Sequence, residues 1–211
     1  MTILYWFRND LRLADNPALS SAVAATDDLI PVYILDDTVP RPLGGAQRWW
    51  LHHSLLALCD VLRQKNVTLV LKKGDAKKVL IDLVKKYQVS AIYWNRSYEL
   101  STLKRDADIE KYFIARGVRI HTYNGSLLTE PANVKNKSGH YFKVYTPYWR
   151  AVLQLMKDVK PLMAPRKWSQ KSKVISERIE TWKLLPKKSA WGCGFEVWRV
   201  GEKAAKQLLI R

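Results

Sequence analysis

Cysteine, acidic residues and long apolar runs are all scarce in these 211 residues. Only Cys59 and Cys193 are present, enough for one disulfide at most. They form no CxxC pair, which argues against a structural zinc site, and a reducing cytoplasm is the expected compartment. No uncharged run exceeds 11 residues (16–26 and 49–59), short of the ~18 that a membrane-spanning helix needs. Arg8, Asp10 and Arg12 follow the first apolar stretch too closely for a secretory signal, so no membrane partner is expected. Phosphate loops are missing as well: neither GxGxxG nor GxxxxGK[ST] occurs, and Gly44-Gly45 reads as a turn. There is no GxSxG elbow and no HExxH pair. His52 and His53 are adjacent, so on a helix they point about 100° apart and cannot share a metal; they read as surface or boundary residues.

What is present is a globular composition, 47% hydrophobic and 26% charged, at a length that suits one domain with an extension. The charge is lopsided. Residues 1–130 hold 18 basic and 14 acidic groups, a net +4, whereas residues 131–211 hold 18 and 5, a net +13. Such asymmetry points to a polyanion partner or a basic tail. Nine tryptophans are also many for this length, and some of them are expected to face a partner or ligand.

Five short apolar, β-branched and aromatic runs punctuate the first part of the chain: Thr2–Phe7, Leu29–Leu35, Val67–Leu71, Ala91–Trp94 and Val118–Tyr123. Runs of this kind suit strands buried on both faces, as in a parallel sheet. Helical stripes lie between them: Leu51, Leu55, Leu58 and Leu62; Val79, Leu80, Leu83, Val84 and Tyr87; and Leu103, Ala107 and Ile114. Asn16-Pro17 opens a further helix, with Asn as cap and Pro at the first helical position. The alternation predicts an α/β fold, a Rossmann-like doubly wound five-stranded parallel sheet of order 3-2-1-4-5 with helices on both faces. Ligands of such sheets sit at the carboxyl ends of the strands, where strand order reverses. There Asp36 and Asp37 fit either a ligand contact or a cap and turn. Beyond Gly125 the rhythm breaks into an irregular, partly helical linker. Tyr148–Met156 has helical spacing, Lys157 to Lys188 is rich in Lys, Ser and Pro, and a last helix starts after Val200. Trp182, Trp191, Phe195 and Trp198 have no evident core within that linker.

The stretch WFRNDLRLADNPAL from Trp6 closely resembles the opening signature of the DNA photolyase/cryptochrome family. GGAQRWWLHHSLLAL, YWNRSYEL from Tyr93, YFKVYTPYWRAVL from Tyr141 and AWGCGFEVWRVGEKAAKQLL from Ala190 are similar, in order, to further family segments. In the last of these, Val200 stands where the family usually has Pro. The resemblance implies a photolyase-type α/β antenna domain over residues 1–130. Residues 131–211 would then be a basic linker leading to the start of a helical FAD domain that is itself absent. The family's catalytic flavin and dimer-binding motifs belong to that helical domain. No FAD, no catalytic residue and no repair activity are therefore expected of this chain alone.

The resemblance further implies a light-harvesting pigment at the ends of strands one, two and four. Those ends offer Trp6, Arg8, Leu35, Asp36, Arg48, Asn95, Arg96 and Glu99. An aromatic floor with a few polar anchors suits a flat heteroaromatic ring. Folate-type members place an Asn-Glu pair after the Tyr-Glu of the fourth-strand exit. Here Tyr98-Glu99 is followed by Leu100, Ser101 and Thr102, so 8-hydroxy-5-deazaflavin or a flavin is favoured over methenyltetrahydrofolate. Asn9, Asp10 and Arg12 lie beside this set, and for Arg8, Asp10 and Arg12 ion pairs that brace the domain are favoured over ligand contact. Two partners are expected. DNA would be held weakly and without sequence preference through Lys135, Lys137, Lys143, Lys157, Lys160, Arg166, Lys167, Lys171, Lys173, Lys187 and Lys188. A separate FAD-carrying domain would meet the aromatic tail from Trp182 to Trp198. A non-enzymatic basic α/β module that binds nucleic acid or a nucleotide is the other reading.

Overall fold

A computed structural model describes residues 1–156, 160–186 and 198–210. Five parallel strands, β1 (Thr2–Phe7), β2 (Asp28–Leu35), β3 (Val70–Lys73), β4 (Ala91–Asn95) and β5 (Arg119–Tyr123), form one sheet of order β3-β2-β1-β4-β5, the predicted order. Side chains alternate across β1. Ile3, Tyr5 and Phe7 enter one core with helices α1 (Pro17–Ala25) and α2 (Gly45–Arg63), through Leu19, Leu55, Leu58 and Leu62. Leu4 and Trp6 enter the other with α3 (Ala76–Tyr87) and α4 (Leu100–Ile114), through Leu80, Leu83, Ile109 and Phe113. The chain thus changes faces between α2 and α3, and the strand order reverses between β1 and β4.

Local signals explain most boundaries. Asn16 caps α1 by accepting from Leu19 N, with Pro17 at the first helical position. Gly44 is not in a turn, as its pairing with Gly45 suggested. It caps α2, and its N–H donates to Gln47 Oε1 at 2.9 Å. Pro31 lies inside β2, one position before the β2–β3 ladder opens at Val32↔Val70, which is where a missing N–H does least harm.

Two expectations fail for one reason, the path of the later chain. The third strand was expected at Val67–Leu71, but its ladder spans Val70–Lys73. Thr68 instead spends its backbone N–H and C=O on the Gln170 side chain, at 2.8 and 3.1 Å. Leu71 N donates to Ser176 Oγ, and Leu71 O accepts from Glu177 N. Residues 170–177 therefore cover the outer edge of β3, which would otherwise expose unpaired backbone groups. Trp182 likewise does not lack a core. With Ile179 and Leu184 it is buried in the α1/α2 core, its ring 6.3 Å from that of Tyr33 and its Nε1 donating to Glu177 Oε2.

Helix α5 (Tyr145–Leu155) begins three residues before the predicted Tyr148, and α6 (Glu202–Leu209) follows Gly201. Trp198 packs on Trp50 of α2, ring centroids 5.8 Å apart. Lys157, Lys187, Lys188, Trp191, Cys193 and Phe195 lie outside the described residues. Among the described residues no helix is long and apolar enough to cross a membrane.

Candidate functional site

The loop that leaves β1 meets the exit of β4 at the reversal point, and a buried polar network joins them. Asn95, the last residue of β4, donates from Nδ2 to Asp10 Oδ2 and to Asn16 Oδ1, and its Oδ1 accepts from Ala18 N. The Tyr5 hydroxyl lies 3.0 Å from Asn16 Oδ1 and 3.1 Å from Asp10 Oδ2. Burial, reinforced by the Asp10 carboxylate, holds Tyr5 well above the usual phenol range. Asp10 also accepts from Arg8 N, and Arg12 donates to Asp15 O and Gly125 O. A methyl group on Gly125 would lie no more than 2.7 Å from the Asn95 side-chain tip, so only glycine lets the chain cross there.

A second, charged layer faces α4. Arg8 pairs with Asp106 and donates to Asn95 O. Arg105 bridges Asp106 at 3.1 Å and Asp36 at 2.9 Å. Burial lowers Arg8 below the usual guanidinium range against the pull of Asp106, and Arg105 adds to the lowering. The Trp6 ring lies beneath both cations, 5.0 Å from the Arg8 guanidinium carbon and 5.1 Å from that of Arg105, and packs edge-on against Trp94. On the outer rim Arg96 donates to Glu130 at 2.9 Å and to Thr122 O. Tyr98 donates to the same carboxylate, and burial together with that acceptor pushes its phenol up to about 12.

The expected set therefore divides. Arg8, Asp36 and Asn95 converge with Trp6 at the reversal point, but Trp6 is only 2% exposed and Asn95 is saturated within the fold. Leu35 is half-buried, Asp36 closes a turn by accepting from Thr38, Arg96 sits on the rim, and Glu99 precedes α4 in the open. Arg48 is exposed on the first turn of α2 and makes no hydrogen bond or ion pair with the others. Asn9 is exposed beside them. Arg105, Asp106 and Gly125 were missed, because their positions carry no periodic signal and gain meaning only through contacts made across the sheet. Glu202 was missed too. Its carboxylate accepts from Leu13 N at 2.7 Å and Ala14 N at 3.2 Å.

The site's two guanidinium groups and the carboxylates of Asp36 and Asp106 already answer one another. Among the described residues no group of three or more His, Cys, Asp and Glu could hold a metal ion. The Cys59 thiol is pushed up to about 11 by burial, which makes it a poor nucleophile.

Residues 3–166 match the profile of the family described as DNA photolyase. The deoxyribodipyrimidine photo-lyase of Agrobacterium fabrum is 40% identical over 210 residues, covering 96% of this chain and 43% of that protein. The crystal structure of a class III photolyase from Agrobacterium tumefaciens superposes with a TM-score of 0.92 at 39% identity, over 99% of this chain and 44% of that one. An archaeal photolyase from Sulfolobus tokodaii superposes at 0.78 and 27% identity, over 100% of this chain and 46% of that one. That structure contains two FAD molecules and is reported to imply a novel light-harvesting cofactor. The chain thus spans less than half the length of these relatives.

Proposed function

The chain belongs to the DNA photolyase family, and from that premise we propose that it is the antenna or docking part of a light-dependent DNA-repair system whose catalytic FAD is carried by a helical domain outside these residues. The superposition over nearly the whole chain carries this reading. Residues 1–130 would be the antenna-type domain, and residues 131–211 its basic wrap.

For the pigment the fit is partial. Trp6 offers no open ring face and Asn95 no free amide. Both lie beneath the rim as this structure holds them. Leu35, Asp36, Arg48, Arg96 and Glu99, all at least partly accessible, would hold the pigment from the rim, with Arg8 and Arg105 fixing the floor beneath. A pigment held there would absorb light and pass the excitation onward. The second FAD of the Sulfolobus protein favours a flavin or deazaflavin over a folate.

Of the expected junction, Trp182 faces inward, which leaves Trp198 on Trp50 as its described member. The net +13 of residues 131–211 supports weak, lesion-blind DNA affinity that falls steeply with salt.

Two measurements test the reading. Added flavin mononucleotide or 8-hydroxy-5-deazaflavin should acquire a shifted absorbance band on binding, and methenyltetrahydrofolate should not. The 211-residue chain should repair dimer-containing DNA under blue light only when the helical domain of a related photolyase is added. Light-dependent repair by the chain alone would refute the proposal. Failure to bind any of the pigments or the helical domain would favour the basic nucleic-acid module instead.

A further inference from the structure

Residues 134–150 carry Lys135, Lys137, Lys143 and Arg150 and not one carboxylate. Interleaved with these cations are Tyr141, Phe142, Tyr145, Tyr148 and Trp149. Four of the rings fall into two pairs. Phe142 meets Tyr148 edge-on at 6.3 Å, and Tyr145 lies parallel to Trp149 within 6°, one helical turn apart on α5, at 6.4 Å. Lys135 stands 6.0 Å above the Tyr141 ring. Tyr141 and Tyr145 are 64% and 71% exposed. Neither the sheet nor the crevice at its carboxyl ends uses these residues.

Exposed aromatic rings among charges of a single sign select their ligand. The desolvated centre of a protein interface is depleted in lysine. A nucleic acid strand supplies phosphates for the cations and flat bases for the rings. A duplex supplies the phosphates but keeps its base faces stacked inside. Resting on the reading that the basic part of the chain meets nucleic acid, we propose that residues 134–150 form a stacking platform for unpaired bases, so that the chain prefers single-stranded to duplex DNA. Tyr145, on the solvent side of the Tyr145–Trp149 stack, takes the base. Lys135, Lys137 and Lys143 take the phosphates.

The test is fluorescence anisotropy with the whole chain, comparing a labelled oligo-dT with its duplex with oligo-dA across a salt series. At equal salt the single strand should bind about tenfold more tightly, the scale of one base–aromatic stack. Tyr145→Ala should abolish that preference and leave duplex binding unchanged, and Tyr145→Phe should keep it. Tyr145→Leu should behave like Tyr145→Ala; retained affinity in that variant would show apolar docking and overturn the stacking claim. Replacing Lys135, Lys137 and Lys143 together by Gln should flatten the single-strand salt slope by about 0.7 for each phosphate that is no longer neutralised. Equal affinity for both forms, unmoved by Tyr145→Ala, would refute the platform while leaving the nucleic-acid reading intact. Binding of neither form at low salt would refute both.

Discussion

Asp106 shows how much a single residue can carry. Its side chain is 8% exposed and answers two guanidinium groups, whereas Arg8 shares Asp106 with Arg105. The two ends of this ion pair should therefore respond unequally. Asp106→Leu strands Arg8 beside Arg105 in a buried site and is expected to cost about 3–5 kcal/mol. Arg8→Met leaves Asp106 bonded to Arg105 and should cost about 1–2 kcal/mol. Urea denaturation separates the two, with the midpoints moving and the slope unchanged. Nearby, Gly125→Ala drives a methyl group into Asn95 and should cost about 1–3 kcal/mol through overpacking. The polar layer was partly readable from the chain. Asn16 announces itself by the Pro that follows, and Arg8, Asp10 and Asn95 sit at strand ends. Asp106, the partner of Arg8, lies 98 residues away from it in a helix whose pattern says nothing of the pairing.

At the scale of elements, two later segments are fastened onto the sheet by carboxylates. Asp28, at the start of β2, accepts from Lys171 N, Ser172 N, Ser172 Oγ and Thr2 Oγ1. Asp28→Ala should release residues 169–177 from β3 and speed tryptic cleavage at Lys171 and Lys173. Glu202 fastens α6 to the loop after β1, and Gly201 allows the approach, since its φ of +103° and the Ala57 methyl leave no space for a side chain. Burial raises the Glu202 pKa, but the Leu13 and Ala14 amides and Lys206 outweigh it, so the folded value lies below the ordinary glutamate range. A depressed carboxyl pKa contributes stability above the unfolded value and loses it as pH falls through the folded one. Protection of the Leu13 and Ala14 amides, taken relative to intrinsic exchange at each pH, should therefore fall as pH is lowered below about 4. Glu202→Gln should remove that pH dependence. Helix and strand positions were legible because burial on one stripe or on both faces leaves a period. The fastenings were not, because one carboxylate meeting two backbone amides leaves none.

The whole molecule is knit by its irregular second part. Trp182 fills the same core as Tyr33 and Leu55. Trp182→Ala should cost about 3–5 kcal/mol, seen as a lowered melting temperature. Trp182→Phe keeps most of the packing, loses the bond to Glu177, and should cost about 1 kcal/mol. A segment serving merely as a tether would show neither effect. The basic, partly helical stretch is therefore half scaffold. Its described lysines are exposed while Ile179, Trp182 and Leu184 hold the α1/α2 face closed.

The sequence alone determined the alternation of five strands and four helices, the strand order, the start of α1 and the family resemblance. The alternation, the helix start and the resemblance are written locally, in apolar period, cap chemistry and a contiguous motif, and the strand order follows from the alternation through right-handed crossovers. The tertiary structure alone decided that Trp6 lies under two guanidinium groups, that residues 170–177 seal the edge of β3, that Trp182 turns inward, and that Glu202 reaches Leu13 across 189 positions. Those outcomes depend on where distant segments come to rest against one another. Isolated apolar residues in a Lys- and Pro-rich stretch carry no period to announce which core will take them, and a buried charge shows its partner only once the strands and helices around it have packed.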